Sequence, residues 1–475
     1  MATAVTAPPR STPDAPRPSG SHRRWVVPVC TGVVLLLYAV SAVVVARDGS
    51  VTGSDFHRRQ AAALADGHLD IRPVPGELAE LDDPYDAEAN LRVRVDGEVQ
   101  DLAYRDGRLY SAHGLTVPLL LLPAQVAVGS APPNCAITLV AGSVGVVAAA
   151  WILTQVRRRF VPDLPDWAAA TTVLAVGLCG PVWALMAVGN GYEAATATAF
   201  ALTMVGAGLL LAATDSLPVL GRGRAALGSA CLALAVGARP TAIVAGVLVA
   251  VVAAVAVRST AGSGTSRGRL ADLVAVVVPF VVVGGLVAAS NVARFGSPVE
   301  FGFGYQLSVW DMTEYPKGRL SYLAPNLVDY VLAAPRPSAS FPWIGLRPTV
   351  GGDSPAIHTS EPLVGLVYSA PVLLVGALCA VTAGRRLRAR CHGLWVAVVA
   401  AATTGLLGLV AVSLPFNTSS FRYAADGAPM LLLASCGLWA WARQSASEDR
   451  RVLDGLWIGA LVVGVAVTAA VQVPT

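Results

Sequence analysis

The chain has 475 residues, of which 55% are hydrophobic and 13% charged, with a formal net charge of +4. Soluble domains carry about 25% charged residues, and the apolar residues here come in runs too long for soluble helices, so a water-soluble enzyme is excluded and a polytopic membrane protein is expected. Seven scattered cysteines, none in a CxxC pair and none in the long polar loops, argue against a disulfide framework or a zinc site.

Residues 1–24 are rich in Pro, Ser, Thr, Ala and Arg and read as a disordered cytoplasmic N-terminus. "SHRR" (21–24) then abuts the apolar run 25–46, which is of full spanning length and is followed by no small-residue cleavage site. An uncleaved first transmembrane helix is the expectation. Further spans are read at 134–156, 166–188, 193–213, 270–292, 361–383, 394–415, 424–442 and 455–473, each near the ~20 residues a bilayer needs. Residues 115–130 ("LTVPLLLLPAQVAVGS") are apolar but short and carry two prolines. Residues 225–257 are too long for one span and are broken by "ARPT" (238–241).

Arginine clusters stand at 23–24, 157–159, 222–224, 267–269, 385–390 and 450–451. The positive-inside bias puts all of them on the cytoplasmic side only if 115–130 does not cross and 225–257 makes two passes turning at Arg239-Pro240. The expected fold is therefore an all-α polytopic membrane protein of about eleven transmembrane helices. It forms one membrane domain over 25–475, with the N-terminus cytoplasmic and the long loops 47–133 and 293–360 on the outer face. Residues 259–268 ("STAGSGTSRG") read as a cytoplasmic linker.

The stretch 47–113 of the first loop holds fourteen acids and eight arginines. Within it, "DFHRRQAAALADGHL" (55–69) has helical character, "LDDPYDAEAN" (81–90) is turn-rich, and "RVRVDGEVQDLAYRDGRLYSAHG" (92–114) alternates around "DG" turns that suit a small hairpin. A carboxylate beside the membrane surface can take a proton from an acceptor hydroxyl, and nearby arginines can hold a phosphate leaving group. Asp55 with Arg58 and Arg59 fits that pattern; the plainer alternative is a helix cap with arginines reaching lipid headgroups. Asp82, Asp83 and Asp86 in "DDPYD" could hold a divalent metal, the alternative being an Asp-Pro turn. At other outer helix ends stand Glu193 in "GNGYE" (189–193), a site acid or a helix cap, and Arg239 in "ARPT". Arg294, Glu300 and Tyr305 lie in "NVARFGSPVEFGFGYQLS" (291–308), and Arg422 and Tyr423 in "SSFRYAADGAP" (419–429). Three arginines at three helix ends on one face suit an anionic lipid head or a phosphate, though each alone would serve as an interfacial anchor.

Taken in order, "SDFHRRQAAALADGHL" after the first helix, "DDPYDAEAN", "DLAYRDGRLYSAHGLTVPLLLLP" with Tyr110, "ARPT", "NVARFGSPVEFGFGYQL" and "FRYAADGAPMLLLA" resemble a poorly characterised branch of the bacterial GT-C glycosyltransferases. These enzymes use sugars linked to polyprenyl phosphate. The resemblance implies a multi-pass protein of the cytoplasmic membrane in the cell envelope. It implies inverting transfer of a sugar to a glycan, lipid or protein acceptor, with Asp55 as the base and Arg239, Arg294 and Arg422 on the donor phosphate. Many members carry Asp-Glu where this chain has Asp55-Phe56, a departure that weakens metal binding there. No nucleotide-binding motif is present and no cofactor is required by this reading, a divalent metal being the one candidate. Two rival classes are a glycolipid flippase, which would call for an inverted repeat and mid-membrane charges, and an envelope protein without catalytic activity.

Overall fold

The computed structural model describes residues 25–48, 55–259, 266–339, 342–345, 347–348, 362–416, 419–446 and 449–472. The N-terminal segment 1–24, linker residues 260–265 and outer-loop residues 349–361, on which expectations above fall, lie outside the described residues.

The fold is an all-helical polytopic membrane protein. Seven described helices are long and apolar enough to cross a bilayer. A further helix pair, Asp166–Leu178 and Pro181–Ala187, is a bent span or a re-entrant loop, turned by 49° at Gly180, whose φ of +80° only glycine adopts without strain. Helices Arg222–Ala238, Val372–Arg390 and Ala428–Ser445 stand where the other expected crossings fall. They are only 17, 19 and 18 residues long, and Val372–Arg390 ends in four arginines. Length and composition thus give seven or eight crossings rather than eleven.

Two expected boundaries move. The span expected at 361–383 is the helix Val372–Arg390, because Pro362 lies in a short strand and Pro371 sets the helix start. The span expected at 424–442 begins at Ala428, after the separate short helix Phe421–Ala424. The break expected in 225–257 is present: Arg239 is extended at φ −150°, ψ 116°, and Pro240 starts a 3-10 turn leading into Gly246–Ser259. Proline lacks the N–H that would continue the preceding helix.

The first loop folds into a small layer over this bundle. Phe56–Ala65 is a helix, as its sequence suggests, and it packs on the apolar helix Thr116–Val128. The alternating segment 92–114 divides in two. Residues Leu91–Asp96 are helical, burying Val93 and Arg94, and only Leu102–Arg105 and Arg108–Ser111 form the hairpin. Its Asp106-Gly107 turn has positive φ at both residues, the backbone that Asp-Gly supplies in a type I′ turn. The second loop joins this hairpin: Leu307 N–H donates to the Leu102 carbonyl and Asp101 N–H to the Leu307 carbonyl, each at 2.8 Å. The two long polar loops therefore form one unit.

That unit is seated by small residues. A Cβ on Gly114 would lie 2.1 Å from the Gly237 carbonyl oxygen. The end of the hairpin segment thus rests directly on the last turn of Arg222–Ala238, at Gly237, two residues before Arg239. Thr116 Oγ1 donates to the Leu234 carbonyl at 2.8 Å and fixes the same junction.

Candidate functional site

The hairpin end, the helix Phe56–Ala65 and three helix ends converge on an aromatic centre. Phe56 stacks on the His113 ring at a centroid distance of 4.7 Å, and His57, Tyr192 and Phe303 meet the same ring edge-on at 5.4, 5.3 and 5.2 Å. Tyr192 also lies under the Arg422 guanidinium at 4.6 Å, and Tyr423 lies between Arg422 and Arg239, 5.2 Å from each. Tyr192 OH accepts from Gln306 Nε2 at 2.6 Å, and that amide also reaches Asp101 Oδ1 at 3.0 Å.

The three expected arginines are thus brought to one region, but each is already engaged. Arg239 pairs with Asp426 at 2.6 Å and donates to Thr196 Oγ1 at 3.0 Å; Thr241 donates a short hydrogen bond to the same carboxylate. Arg422 lies 3.5 Å from Glu193 Oε1. Arg294 donates to the Ser111 and His113 carbonyls at 3.2 and 2.8 Å and to Asn291 Oδ1 at 2.9 Å. Two carboxylates, Asp426 and Glu193, face these arginines beside the histidine. Arg294 is the tether of the first loop rather than an open cation. Arg294→Met should lower stability by roughly 1–3 kcal/mol, since the buried carbonyls it serves lose their donors. Thermal unfolding of the purified protein checks this, and an unchanged midpoint would mean that water replaces the guanidinium.

Glu193 does not cap its helix. Asn190 holds that position, accepting from the Tyr192 and Glu193 N–H groups at 2.9 and 3.3 Å. The Glu193 carboxylate is left for Arg422. Glu300 accepts from the Gly302 and Gly304 N–H groups at 2.7 and 3.2 Å and shapes the turn that presents Phe303. Tyr305 stacks on Phe295 at 6.1 Å, Tyr110 meets the same ring edge-on at 5.5 Å, and Arg105 lies over Tyr305 at 5.0 Å. These three expected residues form an adjoining cluster, joined to the centre through Phe303 and Arg294.

Asp55 precedes Phe56 and its side chain is 46% exposed. It pairs with Arg58 at 2.5 Å and accepts from Asn134 Nδ2 at 3.4 Å. It stands where a cap would stand but its side chain makes no capping bond. Arg58 also donates to the Ala131 carbonyl at 3.2 Å and Arg59 to the Glu98 carbonyl at 2.6 Å, so both hold loop backbone. Asp82, Asp83 and Asp86 do not converge. Asp83 Oδ1 accepts from the Tyr85 N–H, and Asp86 Oδ1 from those of Glu88 and Ala89. Among the described residues no group of three His, Cys, Asp or Glu side chains has metal-ligand spacing.

His57, His113, Tyr192, Gln306, Asp101 and Asp426 were not singled out from the sequence. Asp426 had a visible signal, an acid four residues past Arg422 near a span end. The two histidines had none, because their burial depends on the two loops closing over them.

Burial pushes His57 down to about 3 and His113 well below the usual histidine range, with His57 and the three arginines adding to the depression at His113. Both imidazoles are neutral in the folded chain at pH 7. An unfolded histidine titrates near 6.5, so the unfolded chain takes up protons first as pH falls. Stability from this source is present above pH 6.5 and is lost as pH falls from 6.5 toward 3. Between pH 7 and 5, His57 alone should cost about 2 kcal/mol, with His113 acting in the same direction. The unfolding midpoint should drop over that interval, and His57→Phe should flatten the slope; parallel slopes would sink the assignment.

The chain matches no family model, and no curated protein sequence matches it. Among solved structures it is similar to ArnT from Cupriavidus metallidurans bound to undecaprenyl phosphate, at 16% identity and a TM-score of 0.45. That match covers 95% of this chain and 64% of the ArnT chain, so the chain spans less than two thirds of its neighbour's length.

Proposed function

We propose that this protein is a membrane glycosyltransferase of the GT-C type, moving a sugar from a polyprenyl-phosphate donor to an envelope acceptor at the outer face of the cytoplasmic membrane. The observation that carries this reading is the meeting of the first-loop helix, which begins beside Asp55, with the end of the bundle where Arg239 and Arg422 lie. Phe56 and His113 join the two parts. In the proposed reaction the acceptor hydroxyl loses its proton to Asp55 as its oxygen attacks the anomeric carbon from the face opposite the leaving phosphate. The C1–O bond to phosphate breaks, and the electrons move onto a phosphate stabilised by Arg422 and Arg239. Tyr192 and Tyr423 fix the guanidinium planes that would face that anion.

The test is reconstitution. The purified chain in liposomes, given labelled polyprenyl-phosphate sugars and an envelope glycan fraction, is expected to form a new glycosidic product. Labelled lipid crossing the bilayer with no glycosidic bond formed would replace this reading with transport.

A further inference from the structure

At the other end of the bundle, a polar cavity opens between the C-terminal halves of Asn134–Phe160 and Gly191–Ala213 and the start of Arg222–Ala238. It has a volume of about 240 Å³ and is lined by Trp151, Gln155, Arg158, Arg159, Asp215 and Arg224. From Glu193 to Ala212 the helix rises about 28 Å, so this cavity and the candidate site lie on opposite sides of the membrane. Trp151, Gln155 and the Arg158–Arg159 pair recur at helical spacing on one face.

Two of the arginines are positioned by backbone and by one shared acid. Arg159 donates to the Leu211 carbonyl at 2.9 Å and pairs with Asp215, while Arg224 donates to the Ala212 carbonyl at 3.3 Å and lies 3.9 Å from Asp215. Three cations against one carboxylate leave two positive charges in the cavity. Gln155 is 5% exposed; its amide N–H donates to the Gly208 carbonyl at 3.3 Å, and its Oε1 has no hydrogen-bond partner among the described residues. Trp151 is 39% exposed, two turns nearer the membrane centre than Arg158. Indole at that depth and guanidinium beyond it match the layers of a bilayer surface, acyl boundary first and headgroup second.

We propose that this cavity binds the phosphate headgroup of an anionic glycerophospholipid in the leaflet on the arginine-rich side of the membrane. A phosphate diester would meet the cation excess, a headgroup hydroxyl would serve the open Gln155 acceptor, and the acyl chains would leave past Trp151. The volume is below the ~300–1,000 Å³ of pockets that enclose whole drug-sized ligands, which suits a headgroup rather than a nucleotide. Basic pockets between spanning helices are a general means of holding anionic lipid heads. This site is independent of the transferase proposal, and its test needs no activity.

The test is native mass spectrometry of the full chain released from detergent after incubation with phosphatidylglycerol, phosphatidylcholine or inorganic phosphate. Wild-type protein is expected to retain phosphatidylglycerol in preference to phosphatidylcholine. Arg158→Gln and Arg224→Gln should each cut that retention about fivefold. Arg386→Gln, at an arginine outside the cavity lining, should leave it unchanged. Equal retention of the two lipids, or equal loss in Arg386→Gln, would overturn the site. Displacement of the lipid by millimolar inorganic phosphate would overturn the lipid as its ligand and assign a soluble phosphate instead.

Discussion

Under the proposed function, replacing Asp55 with asparagine should cut sugar transfer by about 10²–10⁴-fold, the range contributed by a positioned general base, while the protein stays folded. The structure makes this variant unusually clean. Asp55 forms no capping bond that asparagine would disturb. Its ion pair with Arg58 joins side chains 46% and 34% exposed, and pairs that exposed are worth about 0–1 kcal/mol. A large loss of turnover with an unchanged melting midpoint therefore isolates proton transfer from folding. Single-turnover assays with saturating polyprenyl-phosphate sugar make the measurement, and Asp55→Glu, which restores a carboxylate at a longer reach, should recover part of the rate. Transfer at the wild-type rate in Asp55→Asn would remove Asp55 from the chemistry.

Asp426→Ala should strongly destabilise the fold. Arg239 and Asp426 are 10% and 6% exposed and 2.6 Å apart. Removing one partner of a buried pair leaves an uncompensated charge, at a cost of roughly 3–5 kcal/mol. Thr241 loses its acceptor in the same variant. The double variant Arg239→Met/Asp426→Leu should recover most of the lost stability, because apolar side chains of similar volume commonly replace a buried pair without penalty. Under the proposed function the double variant still fails in transfer, since the cation facing the phosphate is gone. Thermal unfolding in detergent separates the two variants. Equal midpoints for wild type and Asp426→Ala would show that water, not carboxylate, balances Arg239.

The elements legible in the sequence are those fixed by local chemistry. Proline after Arg239 removes the donor that would continue the helix, and Asp106-Gly107 dictates its own turn, so both breaks can be read from dipeptides. Leu91–Asp96 is helical although "RVRVD" alternates like a strand; the helix buries Val93 and Arg94 only once the second loop is in place, with Arg94 donating to the Ser308 carbonyl. The three arginines could be assigned to one end of the bundle from topology. Their partners could not, since Arg294 is filled by carbonyls 181 and 183 residues away in sequence. His113 became visible only through the closure of both loops around it.

The break at Arg239 also sets a depth. Arg222–Ala238 has 17 residues and rises about 25 Å from its arginine-flanked start, against a hydrocarbon core of about 30 Å. On the eleven-span reading of the sequence, in which this helix crosses, the guanidinium of Arg239 just past its end lies beneath the headgroup plane. A reactant that diffuses in two dimensions can bring its phosphate to this level while its tail never leaves the hydrocarbon. Under the proposed function, a freely dissolved reactant would have to shed its hydration to reach the same point, so a short helix here would sort reactants by how they travel before any side chain touches them.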